Sequence, residues 1–219
     1  MHRMNYLLMT SLLLLASSSA AAEWGDLTLQ FVYDGKPPAP VKARVDKDVA
    51  YCGKFNVMDE TVLISKDGGV ANILTFLYVS RNGKKPAVHP EYAKTADAEI
   101  KLDNGNCRFE PYFTILRTTQ TLLVSNSDSV GHNTNIAAIT DGNLAQNIVV
   151  PSGGQVKMKF PVEERFPMHL ACNIHPWMHG KVVVKEHPYV AVTDKDGKLT
   201  IKNIPVGTWT FQFWHERPG

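Results

Sequence analysis

Within the seven residues Cys172-Asn173-Ile174-His175-Pro176-Trp177-Met178 the chain carries a thiol, an imidazole and a thioether. A cysteine at a strand end and a histidine three positions on can face one ion if a tight turn separates them. Pro176, with φ fixed near −65°, helps to set such a turn, and Met178 then approaches from a third direction. One further imidazole would complete a trigonal His₂Cys plane with a weak axial methionine, the arrangement suited to copper electron transfer. His132 is the candidate. It lies 40 residues before Cys172, after the apolar stretch Leu122–Val124, in the run Asn126-Ser127-Asp128-Ser129-Val130-Gly131-His132-Asn133. Such a gap holds two or three strands, so a sandwich can bring both segments together at neighbouring strand ends. Soft sulfur with imidazole selects copper over magnesium, calcium or manganese.

Taken singly, these residues have plainer explanations: an inert buried thiol, a core-filling methionine, a turn histidine. Their joint order and spacing is what points to a metal. Covalent haem would need Cys-x-x-Cys-His, which is absent, and a structural zinc site would need four Cys/His ligands, methionine being a poor one. A binuclear copper loop would need a second cysteine where Asn173 and Ile174 stand.

The elements that must position these groups read as strands. Helical periodicity is nearly absent, while short β-type runs recur at Leu27–Tyr33, Thr61–Ser65, Val70–Ser80, Cys107–Arg117, Thr119–Asn126 and Asn135–Ile139. Others follow at Asn147–Val150, Gln155–Pro161, Met168–Cys172, Lys181–Lys185, Lys198–Lys202 and Thr208–Trp214. Turn pairs such as Asp34-Gly35, Asn82-Gly83, Asn104-Gly105, Asp141-Gly142 and Asp196-Gly197 punctuate them. The expectation is an all-β, antiparallel sandwich. Asn82–Asp97, with Pro86 and Pro90, reads as a surface loop carrying a helical turn near Glu91–Ala98.

The loop Cys-x-x-His-Pro-x-Met-x-Gly-Lys-Val-Val-Val resembles the ligand loop and last strand of amicyanin-type blue copper proteins of the cupredoxin superfamily. The segment around His132 resembles the first-ligand loop of amicyanins and plastocyanins, and Arg108 through Asn126 is similar to the strands leading into it. The likeness spans about residues 98–187. It implies a Greek-key cupredoxin sandwich holding one mononuclear type 1 copper, with His132, Cys172, His175 and Met178 as ligands. Asn133 would tie the two ligand loops together by hydrogen bonds. The His175 edge would reach the surface among Pro176, Trp177 and His179 and dock briefly with a redox donor and acceptor. His169, three before Cys172, faces the other side of an extended strand and is not expected to be a ligand.

The remaining sequence frames this centre. His2 and Arg3, the apolar run Tyr6–Ala16, and Ala20 and Ala22 at −3 and −1 make residues 1–22 a secretory signal, too short in its apolar part to span a bilayer. The protein is therefore expected to be exported, periplasmic or equivalent, with no membrane span in the mature chain. Export permits Cys52 and Cys107 to pair, leaving Cys172 free; two free thiols are the rival. Lys+Arg 23 against Asp+Glu 21 is too balanced for a nucleic-acid groove. Asp196–Thr210 resembles carboxypeptidase-regulatory-like β-sandwich modules. Residues 23–97 and 188–219 are accordingly expected to form a discontinuous β-sandwich around the copper domain, or else edge strands added to it. The function expected is single-electron carriage between redox partners, not catalysis. The alternatives are a copper-holding or partner-binding module and a copper-dependent oxidoreductase.

Overall fold

The computed structural model describes residues 23–217. The signal segment 1–22 lies outside the described residues. Among those described, no helix is long and apolar enough to cross a membrane.

Among the described residues fourteen strands build four sheets, and the alternation of apolar and polar side chains decides which face of each is buried. β1 (Trp24–Gln30) and β2 (Leu74–Tyr78) precede β3 (Glu99–Gly105), β4 (Arg108–Glu110), β5 (Phe113–Arg117), β6 (Thr121–Asn126) and β7 (His132–Ala137). Then come β8 (Gln146–Val150), β9 (Gln155–Met158), β10 (Met168–Ala171), β11 (His179–Lys185), β12 (Val190–Val192), β13 (Lys198–Pro205) and β14 (Thr210–Trp214). A five-stranded sheet, β5-β11-β10-β7-β8, faces a four-stranded one, β4-β3-β6-β9. Between them lie Leu102, Leu122 and Val124 from one sheet and Ile136, Leu170, Val182 and Val184 from the other, with Cys172 and Met178 in the same cluster. β6 shows the cause plainly: its residues alternate between partly exposed and buried, so one face enters the core.

The sandwich is mixed rather than purely antiparallel. β3 pairs parallel with β6, and β5 parallel with β11. Parallel neighbours need a crossover, and here the intervening chain passes through the opposite sheet before returning. The expected strand Cys107–Arg117 is two strands, broken at Pro111, whose peptide bond is cis. The turn joining β3 to β4 has both Asn106 and Cys107 at positive φ, two residues later than the Asn104-Gly105 signal indicates. The helical turn expected near Glu91 is a 3₁₀ helix at Pro90–Thr95.

The outer strands form two further layers. β11 is buried along nearly its whole length because its outer side is also covered. Val183 packs there against Leu74 and Phe76 of the sheet β12-β2-β14. That sheet covers β1-β13 in turn, enclosing Leu77, Tyr189, Leu199 and Ile201 with Leu27 and Leu29. All ladders of β1 and β2 are thus made with strands that follow β11.

Between β1 and β2 the chain has few regular elements. Ala43 N–H donates to Val57 O and Asp59 N–H to Val41 O, closing a loop that carries the single turn α1 (Val49–Cys52). Cys52 is disulfide-bonded to Cys107, as export permits, and Cys172 is the free cysteine among the described residues. This bridge fastens α1 to the end of the sandwich where β6, β7 and β10 present their loops.

Candidate metal centre

Two strand ends and one turn make the site. His132 opens β7, Cys172 follows β10, and the segment Asn173–Met178 returns the chain into β11. His175-Pro176-Trp177-Met178 is a tight turn in which Met178 N–H donates to His175 O at 2.9 Å, with Pro176 at its second position. Cys172 N–H donates to Met178 O at 3.0 Å and closes the loop. Asn133 joins the two ligand-bearing segments: its Oδ1 accepts from Asn173 N–H at 2.7 Å and Ile174 N–H at 3.2 Å, and lies 3.4 Å from Cys172 Sγ.

His132 Nδ1 lies 3.9 Å from Cys172 Sγ, His175 Nδ1 lies 3.8 Å from it, and the two Nδ1 atoms are 2.9 Å apart. A point equidistant from the corners of that triangle is about 2.1 Å from each, within the bonding range of imidazole and thiolate to a transition-metal ion. His132 and His175 are 0% exposed and Cys172 2%.

The far nitrogens explain why the near ones matter. His132 Nε2 is 2.9 Å from Asp128 Oδ2, and His175 Nε2 is 2.8 Å from Asp48 Oδ2. An ionised carboxylate only accepts, so each Nε2 carries the proton and each Nδ1 turns a lone pair towards its neighbour. Two lone pairs facing at 2.9 Å need a cation between them. A proton can serve, and so can a metal ion held by two imidazoles and a thiolate. The donor set fits copper.

The charges are arranged accordingly. Burial pushes the Cys172 thiol up, but hydrogen bonding with His132, Asn133 and His175 outweighs it and brings the pKa down to about 6. Burial pushes His132 down, and Asp128 together with Cys172 reverses this and raises it to about 9. Burial likewise works against ionised Asp128, yet its pKa is lowered. The carboxylate accepts from His132, from Cys107 N–H at 2.8 Å, from Tyr51 O–H at 3.1 Å and from Asn106 N–H at 2.7 Å.

Met178 is buried in the same core cluster as Cys172. Pro176 is exposed, while Trp177 and His179 are partly so. The Trp177 indole N–H donates to Cys107 O at 3.0 Å and its ring centroid is 5.1 Å from that of His175. His179 faces Asp59 at 3.9 Å and the Tyr112 ring. His169 is exposed, its Nδ1 3.4 Å from Lys181 Nζ, away from the centre.

One expectation is corrected. The His175 edge does not reach the surface: Asp48, from the loop between β1 and β2, covers its outer nitrogen. Asp128 and Asp48 both fall outside the set that spacing singles out. Asp128 stands four residues before His132, a position from which a carboxylate can orient a ligand imidazole, and that is a signal in the sequence. Asp48 has no local signal, since long-range contacts such as the Cys52–Cys107 bridge and the Tyr51–Asp128 hydrogen bond bring it near.

No family model and no curated protein matches the chain. Among solved structures, an oxidised point mutant of amicyanin is 20% identical, covers 51% of this chain and 98% of its own, with a TM-score of 0.35. A purple cupredoxin from Nitrosopumilus maritimus is 26% identical over 41% of this chain and 100% of its own, TM-score 0.33. A copper-containing nitrite reductase from Thermus scotoductus SA-01 is 16% identical over 51% of this chain, TM-score 0.36. The chain spans only 25% of that reductase's length. Each of these likenesses covers 41% to 51% of this chain.

Proposed function

We propose that the chain is an exported mononuclear copper protein that carries single electrons between redox partners. The triangle of His132 Nδ1, His175 Nδ1 and Cys172 Sγ, with both outer nitrogens committed to carboxylates, carries this reading. Met178, buried in the same cluster as Cys172, would be the weak fourth ligand. Copper bound there supplies a one-electron couple between Cu(II) and Cu(I).

The protein's part is to hold still. Cys172 is delivered as a thiolate, and the Asn133 bridge fixes the two loops relative to each other. The imidazoles are locked at their far ends, so little needs to move when charge changes. Trp177, partly exposed and with its ring centroid 5.1 Å from that of His175, offers a side-chain route from the buried ligand towards solvent, and exposed Pro176 and partly exposed His179 flank it as the docking surface. His132 and His175 are both fully buried, which supports a carrier over an oxidoreductase. The disulfide agrees with an oxidising compartment.

Voltammetry of the copper-loaded chain tests this. A reversible one-electron wave, absent in Cys172→Ser, is expected. Copper uptake without such a wave would leave a metal-holding module, and substrate-dependent turnover would make the protein an enzyme.

A further inference from the structure

Both ligand imidazoles end on carboxylates, and both carboxylates belong to one small network centred on α1. Asp48 is the residue just before α1 and adopts a left-handed backbone (φ 44°), a conformation aspartate tolerates better than most side chains. Tyr51 in α1 donates to Asp128, and Cys52 at its end is bonded to Cys107, whose N–H donates to Asp128 as well. A single turn from the flanking region therefore touches the outer partners of both histidines. Among the described residues, neither carboxylate is in an ion pair with a lysine or an arginine; each pairs with its histidine alone.

We propose that Asp48 and Asp128 are positioning residues that fix the two imidazoles with Nδ1 towards Cys172 and hold the centre in its oxidised form, so that the flanking turn sets the reduction potential. This rests on the copper reading above. A thiolate and two carboxylates over-neutralise a divalent ion. When one electron from an external donor converts Cu(II) to Cu(I), with no bond to a substrate formed or broken, that excess of negative charge grows, so reduction is disfavoured. A hydrogen bond from Nε2–H to a carboxylate also makes the imidazole a stronger donor, which again favours the higher oxidation state. Asp128 is buried and acts through a low dielectric. Asp48 has a side chain 46% exposed, so its effect is partly screened and grows at low ionic strength.

The test is Asp48→Asn in the full chain, read by spectroelectrochemical titration after copper loading. The amide oxygen still accepts from His175 Nε2–H while the charge is lost. The equilibrium constant for reduction is expected to rise about tenfold, equivalent to ~59 mV for one electron. Asp46→Asn, an exposed acid two residues away paired with Arg44, should stay within twofold of the native value. Asp128→Asn is expected to move the equilibrium further in the same direction; should it not fold, Asp48→Asn alone decides. In the metal-free protein at fixed pH, ¹⁵N spectra should show His175 protonated at Nε2, a preference lost in Asp48→Ala. A native couple that Asp48→Asn leaves within twofold, or that Asp46→Asn moves equally, overturns the inference while leaving the copper reading intact. A native chain with no couple overturns that reading, and the ¹⁵N pattern still reports separately whether the carboxylate holds the ring.

Discussion

Cys172 and His132 exchange charge before any metal arrives. With one pKa brought to about 6 and the other raised to about 9, the metal-free pair is thiolate and imidazolium between those values. Copper must displace the His132 proton in that window, and below it the Cys172 proton too. Affinity for Cu(II) should therefore rise about tenfold per pH unit between about 6 and about 9, and more steeply below about 6. Competition with a chelator of known proton binding measures this; an affinity flat across neutral pH would show that His132 is not a ligand. At this scale the sequence is most legible where chemistry is local. Cysteine, histidine, proline and methionine within one loop define their own turn, and the Asn133 bridge follows from the residue beside His132. Asp48 is illegible because its place depends on a chain closure that no periodicity encodes.

β11 and α1 show what elements add. The Val182-Val183-Val184 run is apolar throughout because each side meets a different core, and its parallel pairing with β5 is the feature an alternating pattern does not reveal. β3 is missed from the sequence because Glu99, Lys101 and Asp103 disguise a strand whose buried residues are only Leu102, Asn104 and Gly105. α1 is too short to have stability of its own and is held by the Cys52–Cys107 bridge. Replacing both cysteines by serine removes a cross-link closing 55 residues and should cost about 4 kcal/mol on the chain-entropy scale. Urea unfolding checks the cost. The same variant should release copper faster than the native chain, because Asp48 and Tyr51 lose their anchor; unchanged release would mean that the turn does not support the centre.

For the whole molecule, we propose a division in which residues 23–97 and 188–219 form one unit around the segment 98–187. The ladders of β1 and β2 with β12, β13 and β14 support it. The recurring turn pairs make the β architecture readable, whereas the stacking of one unit on the other is not, since it depends on which apolar face meets which. Val183 and Phe76 lie at that junction. Phe76→Ala should destabilise by roughly 3–5 kcal/mol, as for other buried aromatic truncations. Because β11 serves both cores, the native chain should lose its copper spectrum and its tryptophan fluorescence in one urea transition; a copper spectrum outlasting the fluorescence change would separate the units.

The visible and electron paramagnetic resonance spectra of the purified chain after Cu(II) addition, with Cys172→Ser beside it, bear most directly on the central claim. Thiolate bonded to Cu(II) in a trigonal imidazole plane should give an intense visible charge-transfer band and a narrow copper hyperfine splitting, both lost in the serine variant. A colourless native protein with an ordinary tetragonal Cu(II) signal would contradict it.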